Sequence, residues 1–236
     1  MADLLLIHGS CHGAWCWRDL IPALAARGLS ARAIDLPGHG DGRDPASVTL
    51  AETAEAVRAA STPQTIVLGH SWGGFPVSAA AELDPGAMRG LIYLCAYVPK
   101  DGTSLIGMRK AGPQQTLGGA TEKNPAATAY SFRPETAPEL FYHDCPPETA
   151  AYALEHICPQ PIRPQDTPIT LGTSFASVPK AYIRCVQDRV IPPGYQAQMA
   201  AGLPPHMVHD FRASHSPFFA DPEGLAALIT QIVKDL

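Results

Sequence analysis

At 236 residues, 46% of them hydrophobic and 17% charged, the chain is long enough to bury a sizeable core as one α/β domain. Its 17 Lys and Arg are scattered against 22 Asp and Glu, for a net charge of −5, which leaves no electrostatic footprint for nucleic acid and no basic amphipathic face for a membrane. The apolar start Leu4-Leu5-Leu6-Ile7 is too short to span a bilayer and no basic segment precedes it, so a cytoplasmic protein is expected.

In chain order, the periodicity predicts a strand over 3–8, a helix over 15–27 closed by Gly28, and a strand over 31–36. The turn Pro37-Gly38-His39-Gly40 follows, then a helix near 50–60 and a strand over 65–68. Gly69-His70-Ser71-Trp72-Gly73 comes next, ahead of a helix over 75–83 and a strand over 91–96. From Pro99 to Pro179 the alternation breaks, because twelve of the 24 prolines fall there and cut helices short. Strands over 181–186 and 207–211 and a helix over 222–236 resume it.

Apolar strands alternating with helices predict a mainly parallel sheet covered on both faces. The core then comprises 1–98 and 179–236, with a small, mostly helical cap over 99–178 inserted in the second half, the whole forming one structural domain with a lid. Leu105, Leu117, Tyr130, Phe132, Phe141, Tyr142 and Phe175 favour an ordered cap over a floppy linker. Such a cap overhangs the strand ends and selects the substrate.

The segment around Ser71 reads as strand, sharp turn and helix, with a serine at the apex. A serine hydroxyl is a poor nucleophile until a base can reach it, and a strained turn holds it out for that purpose. His215 and Asp188 each lie just past a predicted strand end, in the chain order nucleophile, acid, histidine. The roles that follow are nucleophile for Ser71, general base and acid for His215, and orienting carboxylate for Asp188. Asp101, also after a strand, is the rival acid; a surface ion pair with Arg189 is the plain alternative for Asp188.

Acyl transfer also needs backbone N–H groups aimed at the developing oxyanion, and the amides of Ser10 and Trp72 are the candidates. His12, Phe218 and Phe141 are candidate pocket residues, and the aromatic character of the pocket suggests an apolar or aromatic substrate. His8 and His12 are four apart, but the glycines between and beside them argue against a helical metal pair, so no metal is expected. Cys11, Cys16, Cys95, Cys145, Cys158 and Cys185 form no CxxC pair and read as reduced thiols, with a Cys145–Cys158 bridge disfavoured.

Three motifs, His8-Gly9-Ser10-Cys11-His12-Gly13-Ala14-Trp15, Asp35-Leu36-Pro37-Gly38-His39-Gly40 and Gly69-His70-Ser71-Trp72-Gly73-Gly74, together with the Asp188 and His215 segments, carry a resemblance. They look like the α/β-hydrolase branch that holds plant methyl esterases, hydroxynitrile lyases and bacterial carboxylesterases similar to pyrethroid hydrolases. The resemblance covers all but the cap, and implies a Ser-His-Asp esterase with a small helical lid, no cofactor and often a homodimer. The lyases of that branch carry a threonine at the position of Gly9 and a lysine after the catalytic histidine, where this chain has Ser216. The esterase side therefore fits better, with a small-molecule ester as substrate. Carbon–carbon or amide cleavage by the same triad, a lyase, and a small-molecule receptor with vestigial activity remain as alternatives.

Overall fold

The computed structural model describes residues 3–236. Strands β1 (Asp3–Ile7), β2 (Ser30–Ile34), β3 (Thr65–His70) and β4 (Gly90–Leu94) alternate with helices α1 (Leu20–Ala25), α2 (Leu50–Ala59) and α3 (Gly74–Leu83). An inserted stretch then carries α4 (Leu105–Ala111), β5 (Thr121–Lys123), β6 (Ala129–Phe132), α5 (Ala137–Phe141), α6 (Pro147–His156), β7 (Gln160–Pro161), α7 (Arg163–Asp166) and α8 (Thr173–Ser177). Alternation returns with β8 (Lys180–Cys185), α9 (Pro193–Ala200), β9 (Val208–Phe211), α10 (Pro217–Ala220) and α11 (Pro222–Asp235).

The main sheet runs β2-β1-β3-β4-β8-β9, and every neighbouring pair in it is parallel. β3 and β4 are buried at every residue, which explains their unbroken apolar runs: helices cover both faces, so alternation with polar residues is not tolerated. The edge strands β2 and β9 are more exposed and carry charge, Arg32 pairing with Asp3 and Asp210 with Arg184, which keeps a free edge from recruiting another strand.

From β1 the chain steps outward to β2, then back past β1 to β3. Right-handed crossovers in opposite directions place α1 on one face and α2 and α3 on the other. α11 packs against α1, and α8 against α3. The apolar stripe that lets α11 dock is Leu225, Ala226, Ile229, Ile232 and Val233, spaced at helical period. α2 begins at a capping box: the Thr49 hydroxyl accepts from the Glu52 amide at 3.2 Å, and the Glu52 carboxylate accepts from the Thr49 amide at 2.9 Å.

Two expectations change in detail. The helix predicted over 15–27 is a 3-10 turn at Ala14–Trp17 followed by the short α1, because Pro22 has no amide to continue a helix from further upstream. The regular elements of the inserted stretch are mainly helices, α4 to α8, but loops and turns make up half of it and it also holds a three-stranded antiparallel sheet, β5-β6-β7. Its strands are too short for periodicity to register, and Pro161 sits on an outer strand, where a missing amide is tolerated.

The order reversal between β1 and β3 opens a crevice at their C-terminal ends. Ile7 pairs with Gly69 and Cys185 with Phe211, so the loops leaving these four strands emerge along one rim.

Candidate active site

Ser71 follows β3 directly and has a φ of +52°, a left-handed conformation that costs an ordinary residue about 1 kcal/mol or more. Close packing enforces it. A Cβ on Gly74 would lie 2.0 Å from the Tyr97 carbonyl oxygen, so only glycine lets the turn into α3 pass under the loop after β4. The Ser71 carbonyl in turn accepts from the Tyr97 amide at 3.1 Å.

The Ser71 hydroxyl donates to His215 Nε2 at 2.9 Å, and His215 Nδ1 donates to Asp188 Oδ2 at 2.7 Å. All three residues are buried. Asp188 is held by its surroundings: Oδ1 accepts from the amides of Val190 and Ile191 at 2.7 and 2.9 Å, and Oδ2 also accepts from Gln196 Nε2 at 2.9 Å. A buried carboxylate with each oxygen doubly bonded stays in one orientation. The rival Asp101 accepts instead from the Leu171 amide at 2.9 Å, near the end of the inserted stretch. Arg189 pairs with Glu139, which leaves Asp188 to the histidine.

The sequence alone points to no role for two residues of this constellation. Gln196, fully buried on α9, accepts from the Cys185 amide at 3.0 Å and donates to the Ile191 carbonyl at 2.7 Å as well as to Asp188. It ties the end of β8 to the acid. A lone glutamine in a helix carries no sequence signal of this kind. His70, inside the elbow motif itself, donates from Nε2 to the His215 carbonyl at 2.8 Å and so holds the backbone of the histidine loop. Its position beside the serine was the available clue.

Past Ile7 the chain turns through His8 and Ser10 to His12. His8 Nδ1 donates to the Gly9 carbonyl at 2.9 Å and Nε2 accepts from the Leu36 amide at 3.0 Å. His12 Nδ1 donates to the Ser10 carbonyl at 2.7 Å, and its Nε2 accepts from the Tyr142 hydroxyl at 2.7 Å. Burial lowers His12 to about 4 and takes His8 and His70 well below the ordinary histidine range, so all three are neutral near pH 7. The amides of Ser10 and Trp72 donate to no backbone acceptor in the described loops and turns. By register, each lies three residues beyond the paired Ile7 and Gly69, on adjacent strand ends.

An inner chamber of about 20 Å³ is bounded by Ser71, His215, Ser10, His12, His70 and Phe141 together with side chains of the inserted stretch. A second, outer chamber of about 130 Å³ adjoins it, lined by Gln114, Gln115, Thr116 and Tyr195 among others; Tyr97, Arg109, Leu117 and Val190 border both. His12 and Phe141 line the inner chamber.

Phe218 does not. It is fully buried behind the chamber wall, 5.0 Å from the His70 ring and 4.9 Å from Trp17, because the one-turn α10 turns it into the core. The Trp72 ring is also fully buried, stacked 5.9 Å from Phe75, so only its backbone is available to the chamber. Phe175 lies away from the chamber, beneath the Lys180 ammonium at 4.1 Å. Leu105, Leu117, Tyr130 and Phe132 are on the chamber wall.

Among the described residues, His70, Cys95 and His215 bring potential metal-ligand atoms within 4.8 Å of one another. Both His215 ring nitrogens are engaged by Ser71 and Asp188, and burial raises the Cys95 thiol well above its ordinary range, so this set is poorly suited to a cation. No described helix is long and apolar enough to cross a membrane.

Residues 4–228 match the profile of the Alpha/beta hydrolase family. A pyrethroid hydrolase from Sphingobium wenxiniae is 33% identical over 242 residues, covering 97% of this chain and 86% of that protein. Methylesterase 3 of Arabidopsis thaliana is 28% identical over 252 residues, covering 98% of this chain and 95% of its own. Among solved structures, a pyrethroid hydrolase from Sphingobium faniae superposes with a TM-score of 0.87 at 30% identity, covering 99% of this chain and 97% of that one. With a match of this extent and relatives alike over almost all of its length, the chain belongs to the alpha/beta hydrolase family.

Proposed function

We propose that this chain hydrolyses small carboxylic esters through an acyl-enzyme formed on Ser71. It is a carboxylesterase-type hydrolase, as are the relatives named above. The observation that carries the residue assignment is the continuous hydrogen-bonded relay from Ser71 through His215 to Asp188. His215 takes the hydroxyl proton as Ser71 attacks the ester carbonyl and returns it to the departing alkoxide. A water then enters, is deprotonated by the same nitrogen, and releases the acid. Asp188 keeps Nδ1 protonated and steadies the imidazolium, while the Ser10 and Trp72 amides receive the oxyanion.

The inserted stretch at 99–178 acts as the cap in this reading. An inner chamber of about 20 Å³ has room for about one water, so an ester enters by displacing part of that stretch. Free thiols at all six cysteines fit a reducing, cytoplasmic setting.

Two observations weigh against a hydroxynitrile lyase. A Cβ on Gly9 would lie 2.8 Å from His70 Nδ1 and 2.9 Å from the Ser71 Cβ, leaving no room for a threonine. The Ser216 hydroxyl, next to His215, is buried and uncharged, so no cation stands ready for cyanide.

p-Nitrophenyl esters of graded acyl length, tested on wild type and Ser71→Ala, check the proposal. Steady turnover by wild type and a loss of at least about 10³-fold in folded Ser71→Ala are expected. Equal rates in the two proteins would remove the nucleophile, and a single burst without turnover would favour a receptor.

A further inference from the structure

The wall between the two chambers holds two polar groups that the ester chemistry does not use. Arg109, half-buried on α4, and Tyr97, on the loop after β4, border both chambers. Among the described residues, the Arg109 guanidinium makes no ion pair and no hydrogen bond; its backbone carbonyl accepts from Gln115 and from the Gly112 amide. The Tyr97 hydroxyl likewise has no hydrogen-bond partner, and burial raises its pKa far enough to keep it a donor throughout the physiological range. No Asp or Glu lines either chamber.

With His12 and His70 held neutral, Arg109 is the one Lys, Arg, Asp or Glu side chain lining either chamber. A guanidinium taken partly out of water without a partner is costly, and a planar fork of N–H donors matches a carboxylate. We propose that Arg109, assisted by the Tyr97 hydroxyl, is a specificity-determining residue that binds a carboxylate carried by the ester at the end remote from the scissile carbonyl. The preferred substrates are then half-esters and other acid-bearing esters. Resting on the esterase reading, this assigns the reacting carbonyl to the inner chamber and the anionic tail to the dividing wall.

The test compares monomethyl succinate, glutarate and adipate and 4-acetoxybutyrate with uncharged esters of equal length, each assayed by release of titratable acid. Wild type is expected to prefer at least one charged ester over its neutral match. In Arg109→Met that preference falls by about tenfold to a hundredfold, mainly through KM, while Arg109→Lys keeps part of it. An unchanged preference in Arg109→Met at every length, or no preference in wild type, overturns the proposal.

A binding arm separates this from the esterase reading. Calorimetry of the favoured charged ester with Ser71→Ala should give a Kd about tenfold or more tighter than with Ser71→Ala/Arg109→Met, and equal values overturn the assignment. Neutral esters cleaved by wild type but not by Ser71→Ala uphold the esterase whatever Arg109 does. Charge-dependent binding without any turnover would sink the esterase and leave the anion site standing.

Discussion

Along the sheet rim, each reacting side chain is fixed by several bonds from strand ends, the loops that follow them and α9; the inserted stretch reaches that rim through tethers spread along its length. Asp188 is gripped by two amides and Gln196, His215 by Asp188 on its ring and His70 on its carbonyl. The inserted stretch meets the rim through tethers that include Tyr142 to His12 at 2.7 Å, Gln165 to Ser10 at 2.7 Å, the Cys158 amide to the Cys11 carbonyl at 2.9 Å, and the Ser214 amide to Asp144 Oδ2 at 2.7 Å. The rim thus holds a geometry, and in the proposed reading the insertion closes over it and chooses what enters. Changes at the rim should act on turnover with every ester, and changes in the insertion should act unevenly among esters.

The largest expected effect is on folding of the buried rim under acid. His8, His12, His39 and His70 are all lowered, chiefly by burial, His12 to about 4. The unfolded chain takes up protons at these residues near the ordinary 6.5, while the folded chain resists until lower pH. Stability is therefore complete above about pH 6.5 and falls as the pH drops towards 4, by up to about 1.4 kcal/mol per pH unit for each histidine. Urea midpoints between pH 7.5 and 4.5 measure this; a flat profile would mean that these histidines are not held neutral.

Next in size is Gln196→Leu. Leaving the Cys185 amide and Ile191 carbonyl without their buried partner should cost about 1–3 kcal/mol of stability. Loosening Asp188 should lower kcat about tenfold to a hundredfold for all esters alike, with little change in KM. A loss confined to KM, or to one ester, would place Gln196 outside the rim's work. Smallest is Tyr142→Phe, which removes one tether of the insertion: kcat should change less than about threefold, while KM shifts by an amount that depends on the acyl group. A uniform fall in kcat across the panel would erase the division between the two regions.

The same division governs what the sequence made legible. The apolar runs 4–7 of β1, 66–68 of β3 and 91–94 of β4 are buried because both faces of the sheet are covered, so they stand out, and the glycines around Ser71 mark a turn that admits nothing larger. Chain order then located Asp188 and His215. The insertion shows little in sequence beyond its order and its wall residues, since β5, β6 and β7 span only three, four and two residues, too few for alternation to register. Phe218 was misplaced because a hydrophobic residue three past the histidine looks the same whether α10 turns it inward or not. Gln196 and Arg109 owe their places wholly to tertiary packing: one is a polar residue buried on a helix, the other a cation without a partner.

The central claim is that Ser71 becomes covalently acylated in turnover. A fluorophosphonate ester applied to the folded protein, followed by peptide mass spectrometry, addresses it directly. One stoichiometric adduct on the Ser71 peptide, with parallel loss of ester hydrolysis and no adduct in Ser71→Ala, is the result expected here. Undiminished hydrolysis with Ser71 unmodified, or an inactivating adduct on another residue, would contradict it.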